Sequence, residues 1–136
     1  INTAYFCYSS DLELSFLSDP SSLHCGNLTT NPSMGVAVFS SSQKWGNADR
    51  GMQLFGRCHQ ARGRQAEKAE HRYGRRFPLY AKVMAGMSRE EQLQASQLRS
   101  YRFYRFLPRS VKILDERAFG GGVFVVASVR RRRPSK

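Results

Sequence analysis

Apolar and polar positions alternate along most of this chain, in strand-length runs separated by clusters of Ser, Asn, Asp, Gly and Pro. Residues 2–8, NTAYFCY, are rich in aromatic and β-branched side chains. Residues 12–17 alternate, with Leu12, Leu14 and Phe16 on one face and Glu13 and Ser15 on the other. Ser9, Ser10 and Asp11 between the two runs are turn formers, so the pattern predicts a hairpin. Ser18-Asp19-Pro20-Ser21-Ser22 comes next. Pro20 biases Asp19 away from the helical region, and Ser21 or Ser22 is placed to cap a helix that runs through Leu28 and stops near Asn31-Pro32. Residues 34–39, MGVAVF, predict a short strand, and residues 51–61 another, with Gly56 marking a bulge or a close approach of backbone.

Over residues 63–77 the spacing changes to three and four. Ala66, Ala69, Tyr73 and Phe77 lie on one face among strong helix formers, and Pro78 ends that helix. Shorter helical pieces follow over 79–84 and 89–95. The last third returns to strand. Residues 98–107 place Tyr101, Phe103 and Arg105 on one face and Arg102, Tyr104 and Phe106 on the other, which predicts one buried and one solvated side; neither face is a clean aromatic platform. Residues 111–114 continue beyond Pro108, and 123–129 form a last apolar run after Gly120-Gly121-Gly122. Five or six short strands with one tucked helix and a longer helical excursion define an α+β protein, a small barrel with helices attached.

Composition narrows this picture. At 136 residues and 40% hydrophobic, the chain is expected to form one domain over residues 1–129, with residues 130–136 a disordered basic tail. No window approaches the ~20 apolar residues of a membrane span, and no segment resembles a signal peptide, so a soluble, cytoplasmic protein is expected. Cys7, Cys25 and Cys58 are widely spaced with no CxxC pair, which argues for reduced thiols rather than a disulfide framework or a structural zinc site. The net charge of +12 predicts attraction to anionic partners, read either as nucleic-acid binding or as a solvated basic surface. Trp45, alone in a polar loop, reads either as a plug or dimer contact, or as a lid over a ligand.

No catalytic constellation stands out. His24, His59 and His71 have no nucleophile at a motif-like spacing, and the few acidic residues are scattered. What remains is the turn before the first helix. Hydroxyls of Ser18, Ser21 and Ser22, the unpaired N–H groups of the helix start and His24 converge there, as a phosphate requires; the alternative is that these serines only cap the helix.

The order of pieces, with FLSDPSSLHCGNLTTNP, MGVAVF, RGMQLFG and the Arg-Arg-Phe-Pro segment at 75–78, resembles the FMN-binding split-barrel family related to pyridoxamine 5′-phosphate oxidase, nearest an uncharacterised bacterial subgroup. The resemblance implies a six-stranded antiparallel split barrel that dimerises, with a flavin in each of two clefts between identical subunits. It also implies a helix and a first strand ahead of Asn2. Its phosphate positions fall on Asn2, Ser18, Ser22, Leu23 and His24, with Asn2 and Leu23 standing where the oxidases carry arginine. The flavin ring would lie against a strand formed by Asn2, Thr3 and Ala4, and Gln53 takes the place of a flavin-contacting glutamine, two residues from Gly51 on the same strand face. The implied cofactor is FMN, with haem, a deazaflavin or no cofactor as alternatives; the substrate is unspecified, and the oxidases' substrate-binding C-terminal residues have no counterpart.

Overall fold

The computed structural model describes residues 2–130; residues 131–136 of the predicted basic tail lie outside the described residues. The elements in chain order are β1 (Phe6–Tyr8), β2 (Leu14–Ser18), α1 (Leu23–Thr30), β3 (Ser33–Phe39), β4 (Arg50–Gln60), α2 (Arg64–Arg76), α3 (Pro78–Ala85), α4 (Arg89–Leu98), β5 (Arg102–Asp115), α5 (Glu116–Phe119) and β6 (Phe124–Ser128). The six strands belong to one sheet in the order β1-β2-β5-β4-β3, with β6 on β5. This is the predicted α+β class, and β1 and β3 end that order rather than pairing with each other.

The described residues fall into two compact units, residues 2–32 with 58–107 and residues 33–57 with 108–130. In the first, β1 and β2 form the predicted hairpin, Phe6 opposite Phe16, and β2 pairs with the first half of β5, Leu14 opposite Phe106 through Ser18 opposite Arg102. The hairpin's strand begins only at Phe6. Asn2, Thr3 and Ala4 are exposed and precede it, so the predicted strand over these residues is not formed. A second correction concerns the polar face: Glu13, just before β2, and Ser15, opposite Cys7 and Arg105, are buried, and it is Leu12, in the left-handed region at φ 56°, that is exposed.

Strand β5 begins at Arg102, because the helical run before it continues through Leu98 as α4, held at its start by a capping box between Ser88 and Glu91. Both faces of β5 are covered, against the expectation of one solvated side. Phe103 packs with Cys7, Ala61, Ala69 and Tyr73 beneath α2. Tyr104 stacks on Phe16 at 5.7 Å, and Phe106 is fully buried. Tyr73 is the ring on which this core converges, touching Phe77 at 4.6 Å, Tyr80 at 5.0 Å and Phe103 at 5.5 Å. Ala66, Ala69, Tyr73 and Phe77 are thus the inward stripe of α2, as their spacing predicts. Phe77 serves as cap residue to both α2 and α3, and Pro78 opens the second of these at its first position.

In the second unit β3 and β4 pair without interruption from Ser33 opposite Arg57 to Phe39 opposite Gly51. Gly56 faces Met34 within that ladder, so no bulge forms there. Gly51 is a tight position: a Cβ there would approach the Val38 carbonyl to 3.2 Å. The other half of β5 pairs with β6, Ile113 opposite Val125. Arg50 binds Asp115 (Nε to Oδ2, 2.9 Å), and the Asp49 N–H donates to Glu116 Oε2, fastening the start of β4 to α5. Trp45 is fully exposed and plugs no edge among the described residues.

Candidate functional site

Ser18 ends β2 with its side chain buried, and the chain then turns through an Asx turn: Asp19 Oδ1 accepts from the Ser21 N–H and from the Ser21 hydroxyl, both at 2.8 Å. Those bonds hold the Asp19 carboxyl below its ordinary range. They also commit Ser21, which is thereby removed from the predicted phosphate set. Ser22 is the N-cap residue of α1 by backbone, its carbonyl accepting from Gly26 N–H at 2.9 Å, but its side chain caps nothing. The hydroxyl instead donates to the Asp19 carbonyl at 2.7 Å. The first-turn N–H groups of α1 therefore have no side-chain cap.

His24, the second residue of α1, points back at this turn. Its Nε2 lies 2.7 Å from Ser18 Oγ, 3.2 Å from Ser22 Oγ and 3.3 Å from Asn2 Nδ2. A ring nitrogen carries either one hydrogen or one lone pair, so it cannot satisfy all three. Asn2 Nδ2 can only donate and calls for the lone pair. Ser22 Oγ has spent its hydrogen on Asp19 and can only accept, which calls for the hydrogen. Whichever tautomer is present, one contact is left over. Three hydrogen-bonding groups contend for one atom.

Of the residues predicted as cofactor-binding, the structure therefore brings Asn2, Ser18, Ser22 and His24 together. Thr3 and Ala4 are exposed beside Asn2. Gln53 belongs to the second unit, exposed on β4 opposite Ala37. Leu23 is 82% exposed at the start of α1 and adds no donor. Beneath the helix, Cys25 and Cys58 are buried free thiols; burial, together with neighbouring Cys25, pushes the Cys58 thiol up to about 12. At neutral pH Cys58 is a protonated core residue, not a nucleophile. Among the described residues no group of three or more His, Cys, Asp or Glu is placed to hold a metal ion, and no helix is long and apolar enough to cross a membrane.

A second polar cluster escaped the sequence reading. Buried Glu13 accepts from Arg105 through both carboxylate oxygens, Nε to Oε1 at 2.9 Å and Nη2 to Oε2, and from Arg72 Nη2 to Oε1 at 3.1 Å. Burial favours the protonated acid, but the Arg105 hydrogen bond and the charges of Arg105 and Arg72 outweigh it and hold the Glu13 carboxyl below its ordinary range. The partners are 59 and 92 residues away in sequence, so no local signal announces them.

No family model matches the chain, and no curated protein matches it by sequence. Among solved structures it is similar to a heme-binding protein from Mycobacterium smegmatis, at TM-score 0.65 and 14% identity over 92% of this chain and 45% of that one. A protein of unknown function from Agrobacterium tumefaciens is similar at TM-score 0.62 and 18% identity, over 81% of this chain and 42% of that one. A pyridoxamine 5′-phosphate oxidase-related, FMN-binding protein from Nostoc punctiforme is similar at TM-score 0.50 and 11% identity, over 96% and 79%. This chain spans less than half the length of the first two. At these identities the likeness is one of fold: a split-barrel-like sheet shared with proteins of FMN-binding and heme-binding type.

Proposed function

We propose that this chain is a flavin-binding, oxidoreductase-like protein of the class related to pyridoxamine 5′-phosphate oxidase, with the FMN phosphate held by Asn2, Ser18, Ser22 and His24. The observation that carries the reading is the convergence of Ser18, Ser22 and Asn2 within 3.3 Å of one ring nitrogen. A phosphate resolves that competition, because its oxygens accept from the Asn2 amide, the Ser18 hydroxyl and the His24 ring separately, and the uncapped first turn of α1 adds N–H groups beside them. The donor set fits a phosphate without a permanent positive charge, His24 being its one titratable member.

Bound flavin supplies the redox chemistry. The residues of this chain bind and orient it, the ring system lying against Asn2, Thr3 and Ala4 in this reading. A homodimer with its flavin clefts between subunits completes the proposal, and sedimentation of the purified chain checks that state.

The test is a visible spectrum of the purified protein followed by titration with FMN, riboflavin and haem. FMN is expected to bind more tightly than riboflavin, and His24→Ala to weaken FMN by about tenfold, the size of one lost charge-assisted hydrogen bond, while leaving riboflavin unchanged. A protein that FMN does not perturb ends the flavin reading. Haem binding without flavin binding transfers the chain to the heme-type neighbours.

A further inference from the structure

The Glu13 cluster does more than join β2 to α2 and β5. It forms the floor of an open groove of about 690 Å³ in the first unit, separate from the residues around His24. Each guanidinium has five N–H groups. Arg105 spends two on Glu13; Arg72 spends one on Glu13 and one, at 3.2 Å, on the Lys68 carbonyl. That leaves three N–H groups on each arginine with no acceptor among the described residues, on side chains only 20% and 27% exposed. Two guanidinium charges against one carboxylate also leave the floor with one net positive charge.

The rim has the opposite character. The carboxylates of Asp11 and Glu67 are exposed at the groove's edge with no hydrogen bond or ion pair to the described residues, and Lys68 is the one rim side chain of fixed positive charge. Arg72, Arg105 and Lys68 together balance Glu13, Asp11 and Glu67, with His71 and Gln65 adding polar contacts. A simple dianion meets the rim carboxylates as it approaches. A simple cation meets the arginine floor. A ligand carrying both charges meets neither obstacle.

We propose that this groove binds a small zwitterion of the amino-acid class, its carboxylate on the outward N–H groups of Arg72 and Arg105 and its ammonium at Asp11 or Glu67. The forked donors of two arginines match a carboxylate in geometry as well as charge, and the exposed rim acids select for the amine. The site is independent of the flavin reading, so either stands if the other falls.

The experiment is an NMR titration of the full chain, following arginine side-chain Nε–H and backbone amide signals. The probes are glycine, β-alanine, γ-aminobutyrate and 5-aminovalerate, with the matched simple carboxylates and n-butylamine as controls. At least one amino acid is expected to give saturable shifts at Arg72, Arg105 and the neighbouring amides of residues 9–13 and 65–72. The rim double variant D11N/E67Q is expected to weaken that amino acid about fivefold, the worth of two exposed ion pairs, and to leave the simple carboxylate unchanged. Arg72→Gln is expected to weaken both by about tenfold, with folding checked by the unchanged core amides. Absence of saturable shifts with every amino acid overturns the proposal, as does a simple carboxylate that binds as tightly as its amino acid, or a rim double variant that binds as the parent does.

Discussion

The two polar clusters of the first unit solve the same problem in opposite ways. Around Glu13 the acceptor is fully answered: three N–H groups reach its two oxygens, and the unspent donors belong to the arginines and face a groove. Around His24 the central atom itself is oversubscribed, with Asn2, Ser18 and Ser22 competing for one nitrogen. The first arrangement ties β2 to α2 and β5 by charge. The second ties little together, because its members lie within one turn of chain and the segment at Asn2. Removing a partner should therefore cost stability at Glu13 and binding at His24.

The largest expected effect tests the first half of that statement. Glu13→Ala strips the counter-charge from two partly buried guanidinium groups, and about 3 kcal/mol of stability to denaturant should go with it. Ser18→Ala should cost no more than about 1 kcal/mol, since it removes one hydrogen bond from a set already in surplus, and His24→Ala little more, since its contacts lie at a part-exposed turn. Equal losses at both clusters would erase the distinction.

Acid sharpens it next. The folded Glu13 carboxyl titrates below its unfolded range, so its contribution to stability is complete above that range, near pH 4.5, and is lost as pH falls through the folded value. Unfolding free energy of the parent should fall more steeply below about pH 4.5 than that of Glu13→Gln, which has no such proton to gain. Parallel curves for parent and variant would place the acid sensitivity on other carboxylates.

These contrasts also mark what the sequence could reveal. Strands and the inward stripe of α2 were legible because hydrophobic alternation and three-to-four spacing are local properties, and Ser18, Ser22 and His24 were legible because six residues of turn and helix bring them together. Asn2 came only through the family resemblance, being 22 residues from its partner. Glu13 was misassigned for a physical reason: a lone acid between two leucines fits a solvated strand face, and the arginines that make burial tolerable come from distant helix and strand. Arg105 misled in the same manner, since a charge in the β5 alternation argues for water on that side, whereas Glu13 answers it inside. Gly56 shows the converse: a glycine in a strand suggests a bulge, yet its ladder with Met34 is unbroken.

The smallest effect distinguishes neighbours. Ser21 and Ser22 are equivalent by sequence, but the Ser21 hydroxyl is tied to Asp19 Oδ1 while the Ser22 hydroxyl also meets His24. Ser21→Ala should lower stability by about 0.5 kcal/mol, because the backbone N–H bond to the same carboxylate oxygen remains and preserves the turn. FMN affinity should then stay within about twofold of the parent, whereas Ser22→Ala, which removes the hydroxyl beside His24 whose hydrogen a phosphate would draw away from the Asp19 carbonyl, should weaken FMN by about fivefold. Paired isotherms of the two variants measure this directly. If Ser21→Ala weakens FMN as much as Ser22→Ala does, the turn as a whole positions the ligand, and the oversubscribed ring nitrogen loses its claim to be the phosphate end.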